Sequence, residues 1–100
     1  MGLFDIFSKK TDEYYLKEGN NFFSEKHYAE AVASYDKAIA INPNDANTWY
    51  NRGIALNNLG RYSDAVDSYD RAIAIDPNQN NLEIDRDRKI ALQHLDNKCG

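Results

Sequence analysis

The sequence predicts an all-α protein built from two copies of a helix–turn–helix unit and one further helix. The first observation is that aromatic, small and proline residues recur 34 positions later. Such a fixed period is typical of stacked repeat architectures. The second is that apolar residues inside each copy follow helical spacing. The repeated residues are Tyr15, Gly19, Phe22, Tyr28, Ala31, Tyr35, Ala38 and Pro43, and then Trp49, Gly53, Leu56, Tyr62, Ala65, Tyr69, Ala72 and Pro77.

Composition limits the classes of function. A chain of 100 residues suits one domain with a modest core, and its net charge of -4 argues against a nucleic-acid partner. Cys99 is the single cysteine, so no intramolecular disulfide forms, which fits a reducing cytoplasm. No apolar stretch approaches the ~20 residues of a membrane-spanning helix.

Residues 1–11 form a short apolar N-terminal segment. Leu3, Phe4, Ile6 and Phe7 have helical spacing, but one or two turns of helix are unstable alone. The segment is therefore expected to pack on its own domain, or into the groove or end of a neighbouring copy. A third alternative is a membrane surface, where the lysines of residues 1–10 would meet lipid phosphates.

Residues 12–45 form the first unit. Asp12 is expected to cap a first helix that ends near Glu25. A second helix is predicted over Tyr28–Ile41, where the Asn-Pro pair at 42–43 stops it, since a residue before proline avoids the α region. Asp45 can then cap the next helix.

Residues 46–79 repeat this unit. Gly60 is expected to supply its turn with positive φ, and Lys26 at the same place makes the first turn costlier. Gly19 and Ala31 are predicted to lie where the two helices of a pair approach most closely, because a larger side chain would push the helix axes apart.

These repeated positions resemble the tetratricopeptide repeat, and the resemblance covers residues 12–79. It implies a non-catalytic scaffold for protein–protein interaction, in which the first helix of each unit lines a concave groove for a peptide or a helix. The residues expected to face this groove are Glu13, Leu16, Lys17, Asn20, Phe23, Asn47, Tyr50, Asn51, Ile54, Asn57 and Asn58.

Family members that hold the C-terminal carboxylate of heat-shock proteins use two asparagines and three basic residues. Asn20 and Asn51 match the asparagines, but Leu16, Asn81 and Asp85 stand at the basic positions. The resemblance therefore argues against this carboxylate clamp. No metal site, cofactor or catalytic group is predicted, because the two histidines have no partner at ligand spacing.

Residues 80–97 predict a capping helix, followed by a tail at 98–100. Continuing the 34-residue count puts Asp87 where the family has a small residue, so this helix is not a third unit. Asp85 and Lys89 are expected to form an ion pair. Since about three units are usually needed for stability, self-association is an alternative function, through the N-terminal segment or the open ends of the array.

Overall fold

The computed structural model describes residues 10–78 and 81–99 and contains five α-helices there. They are α1 (Asp12–Ser24), α2 (Tyr28–Ile41), α3 (Ala46–Asn58), α4 (Tyr62–Ile75) and α5 (Asn81–Cys99). The predicted all-α repeat fold is confirmed. The apolar residues of the N-terminal segment lie outside the described part of the chain.

The helices stack as two hairpins and a fifth helix. α1 packs on α2 and α3 on α4, while α3 also contacts α2 and α5 contacts α4. The odd-numbered helices touch in succession along one side, whereas α2 and α4 make no contact between their described residues. The array therefore curves with α1, α3 and α5 on its concave face. None of these five helices is both long and apolar enough to cross a bilayer.

The turns inside the two hairpins share one geometry. Lys26 and Gly60 have positive φ angles of 64° and 79°. In the first turn, the amide of Lys26 donates to the carbonyl of Phe23, and the amide of His27 donates to that of Phe22. These two bonds form a Schellman motif, which the second turn repeats. As predicted, a lysine occupies a conformation in the first turn that favours glycine.

The helix starts differ in part from the prediction. Thr11, and not Asp12, caps α1, because its hydroxyl accepts from the amide of Tyr14 at 3.2 Å. Asp12 is instead the first helical residue and accepts from Asn42 at 3.1 Å. Asp45 caps α3 as predicted, accepting from the amide of Asn47 at 3.0 Å.

The repeated glycines make room for an aromatic ring. A β-carbon on Gly19 would lie 2.5 Å from Cε1 of Tyr35, and one on Gly53 would lie 2.5 Å from Cε1 of Tyr69. Real contacts of this kind are not that short. The group that a β-carbon on Gly19 would meet is the ring of Tyr35, which the sequence did not predict, and Ala31 is fully buried. Each glycine makes room for the buried tyrosine of the second helix of its unit to contact the first helix.

The last helix follows a different count from the two units. Arg88 pairs with Asp70 in the same way as Arg52 pairs with Asp36. The two aspartates are 34 positions apart, which is the repeat period, whereas the two arginines are 36 positions apart. Buried Ile84 likewise takes the place of buried Thr48. The connection before α5, residues 76–80, is longer than residues 42–45 before α3.

This shift corrects two expectations. Lys89, and not Asp87, corresponds to the glycine of the units, and it forms the expected ion pair with Asp85 at 3.3 Å. The carboxylates of Glu83 and Asp87 take the groove positions that the simple count had given to Asn81 and Asp85. The helix itself reaches Cys99, so residues 98 and 99 are helical and do not form a separate tail.

Candidate peptide-binding groove

A cavity of about 280 Å³ opens on the concave face between α1, α2 and α3. It combines two amide side chains with apolar and aromatic surface. Four of its lining residues belong to the predicted groove set, and Tyr35 is added by the structure. The lining residues are Asn20, Phe23, Tyr35, Asn51 and Ile54.

The two asparagines are held by one hydrogen-bond network. The carbonyl oxygen of Asn20 accepts from the hydroxyl of Tyr35 at 2.6 Å and from the amide of Asn51 at 3.2 Å. Neither of these two bonds uses the NH2 group of Asn20, which is a donor. The carbonyl of Asn51 is an acceptor, so the pair offers both polarities to an extended backbone.

Tyr35 was predicted only as a packing residue. Its side chain is 1% exposed, and burial raises the pKa of its hydroxyl to about 12. The hydroxyl donates to Oδ1 of Asn20 and so fixes the orientation of that side chain. The sequence signal for this role was a tyrosine at a buried repeat position, because a buried hydroxyl usually needs a hydrogen-bond partner.

A second polar cluster lies further along the concave face, where α5 meets α3. The hydroxyl of Tyr50 lies 2.6 Å from Oδ2 of Asp87 and 3.1 Å from Oε1 of Glu83. Burial and hydrogen bonding to Asp87 raise the pKa of Tyr50, which keeps its proton. The single hydroxyl proton of Tyr50 is shared between the two carboxylates. Neither Glu83 nor Asp87 takes part in a described ion pair. We call Glu83, Asp87 and Tyr50 the acidic cluster.

Tyr50 therefore does more than face a ligand. Its ring lies 5.9 Å from that of Tyr69, measured between centroids, and its hydroxyl holds α5 in place. The pKa of Tyr69 is raised as well, by burial first and by the charge of Asp87 second. Replacing Tyr50 would disturb the fifth helix, so it is a poor position for testing the groove.

The other predicted groove residues are spread over several environments. Lys17 lines a separate cleft at the outer edge of α1, and Asn58 bonds the carbonyl of Ile54 within its own helix at 2.9 Å. Leu16 packs against the core, while Glu13 and Asn47 are exposed. The carbonyl oxygen of Asn57 is buried without a hydrogen-bond partner in the described structure.

The described residues contain no group of three or more potential ligands that could hold a metal ion. The chemistry of the site is hydrogen bonding, apolar contact and negative charge.

Comparison with known proteins supports this description of the fold. A family model described as TPR repeat matches residues 19–60, and one described as tetratricopeptide repeat matches residues 46–79. Among curated relatives, Hsp70-Hsp90 organizing protein 3 of Arabidopsis thaliana is 39% identical over 56 residues, which are 56% of this chain and 10% of that protein. The chain thus spans about a tenth of this relative.

Another relative, the human small glutamine-rich tetratricopeptide repeat-containing protein beta, is 48% identical over 43 residues, or 43% of this chain and 14% of the relative. Among solved structures, the Arabidopsis OM64 TPR domain superposes with a TM-score of 0.79 at 27% identity, covering 85% of this chain and 69% of that domain. The Sgt2 TPR domain from Aspergillus fumigatus, at 22% identity, gives a TM-score of 0.77 over 89% of this chain and 58% of that domain, which shows the shared fold. The chain belongs to the tetratricopeptide repeat family.

Proposed function

We propose that this chain is a non-catalytic protein–protein interaction module that binds a peptide or a helix in its concave groove. The observation that carries the proposal is the cavity in which the paired amides of Asn20 and Asn51 adjoin Phe23 and Ile54. Amides pair with a peptide backbone, and the apolar walls receive one side chain. The similarity to co-chaperone proteins supports a protein ligand, and the single cysteine supports a cytoplasmic setting.

We further propose that the ligand is not the C-terminal carboxylate of a heat-shock protein. The groove positions on α5 carry Glu83 and Asp87, where a carboxylate clamp needs basic side chains. Two carboxylates that share one hydroxyl would repel a third. This proposal limits the likeness to Hsp70-Hsp90 organizing proteins to the fold.

A selection from a random peptide display library tests the groove directly. Peptides enriched on the full chain are expected to bind an Asn51→Ala variant about three- to tenfold more weakly, the loss of one or two backbone hydrogen bonds. Asn21→Ala is the matched control, because Asn21 is an exposed asparagine on the outer edge of α1.

Equal loss of binding in the Asn51 and Asn21 variants would place the binding surface elsewhere. Failure of the library to yield any binder would contradict the proposed function itself. Circular dichroism of both variants checks that the helices are retained.

A further inference from the structure

We infer that the groove receives residues 3–10 of a second copy of this chain, an inference that rests on the proposed function. This segment carries four apolar side chains followed by Lys9 and Lys10. The groove carries an apolar and amide-lined cavity followed by the acidic cluster. The order of apolar and charged parts is therefore the same in the segment and in the groove.

Charge complementarity is the first argument. Glu83 and Asp87 lie close together, since both contact the hydroxyl of Tyr50, and no described ion pair neutralises them. A cation placed between them would relieve their mutual repulsion. Two cations of α5 are paired elsewhere, Arg88 with Asp70 and Lys89 with Asp85, and Arg86 is exposed with no described contact to either carboxylate.

The described start of the chain is the second argument, and it favours a second copy over the chain's own groove. The ammonium of Lys10 lies 4.9 Å from the ring centroid of Tyr14. Thr48 is the residue of the second unit that corresponds to Tyr14. It is 2% exposed and belongs to the face that meets the preceding unit. The chain therefore enters α1 from the outer edge of the array, away from the concave face.

The ends of the array are the third argument, because they are not built to stack. Tyr14 and Asn21 are exposed at the positions where the second unit buries Thr48 and Ala55. A tyrosine and an asparagine there keep a preceding helix pair from packing closely. At the other end, Lys89 occupies the position in α5 that Gly19 and Gly53 occupy in the units. A following helix would need a glycine there in order to pack as closely as the helices of a unit do. The ends therefore lack the small residues that pack the two units together, which favours contact through the groove.

A complementation experiment with full-length chains tests the inference by light scattering over a range of concentrations. The first variant, Phe4→Glu with Phe7→Glu, disables the segment and leaves the groove intact. The second, Glu83→Lys with Asp87→Asn, disables the groove and keeps a hydrogen-bond acceptor for Tyr50. Each variant alone is expected to raise the dissociation constant of self-association at least about tenfold.

The diagnostic result is the mixture. An equimolar mixture of the two variants contains one intact segment and one intact groove, so it is expected to form a heterodimer. Its affinity should fall as salt is raised, because the contact includes exposed charges. The matched control Glu30→Lys with Asp67→Asn makes the same change in net charge on the exposed faces of α2 and α4, and it should associate like the wild type.

Several outcomes would overturn the inference. A wild-type chain that is monomeric up to about 1 mM, a range that includes weak complexes, would exclude a second copy as the ligand. A mixture that stays monomeric while each variant is fully helical would exclude pairing of segment and groove. If library peptides still bind the groove in either case, the proposed function stands and this inference alone fails.

Discussion

At the scale of single residues, the two tight turns show most clearly how the chain departs from its own repeat. Lys26 and Gly60 occupy the same place in the same Schellman motif, both with positive φ. An L-residue with a β-carbon is strained there, whereas glycine is not. The motif tolerates the lysine because the surrounding hydrogen bonds are retained. The first turn therefore stores a small strain that the second turn lacks.

This strain predicts the effect of exchanging the two residue types. Lys26→Gly is expected to raise the free energy of unfolding by about 0.5–1 kcal/mol, since the relief of strain exceeds the extra chain entropy of glycine. Gly60→Ala should lower it by about 1 kcal/mol, although a β-carbon meets no atom within 4 Å there. Urea denaturation measures both. A stabilising Gly60→Ala change would contradict the account.

Sequence reasoning at this scale was most successful where a residue type has one physical use. A glycine in a tight turn, a proline after a helix and an aspartate before one each predicted a local structure that the described residues contain. It failed where two residues could serve the same purpose. Thr11 and Asp12 are both good capping residues, and only the three-dimensional start of α1 decides between them.

At the scale of elements, α5 is the helix whose role depends most on register. The sequence predicted a capping helix but continued the 34-residue period through it. The connection between α4 and α5 is one residue longer than that between α2 and α3, and the contacts of α5 are displaced by two positions from that period, as the pairs Arg52–Asp36 and Arg88–Asp70 show. A short change in loop length cannot be read from the periodicity of an isolated helix. The acidic cluster was missed for this reason.

The same register predicts which side chains hold α5 on the array. Ile84 is 3% exposed, whereas Leu82, two residues earlier, is 89% exposed. Ile84→Ala is expected to lower the free energy of unfolding by about 2–4 kcal/mol, because it leaves a cavity. Leu82→Ala should change it by less than about 0.5 kcal/mol. Thermal or urea denaturation compares the two variants. Similar losses in both would show that α5 does not pack in the register described above.

At the scale of the whole molecule, two units and one closing helix form a short curved array with a single concave face. The repeat period predicted this architecture, because each helix pair buries its apolar face only by stacking on a neighbour. The partner could not be predicted in the same way. The repeat period does not determine the identities of the groove side chains, and their arrangement depends on how the helices assemble.

The central claim is that this concave face binds a peptide, and a ¹H–¹⁵N correlation spectrum of the full chain tests it most directly. On titration with a library-selected peptide, the side-chain NH2 signals of Asn20 and Asn51 are expected to shift, and those of Asn21 should stay in place. Shifts that centre instead on the cleft around Trp49 and Arg71, formed by α3 and α4, would contradict the claim.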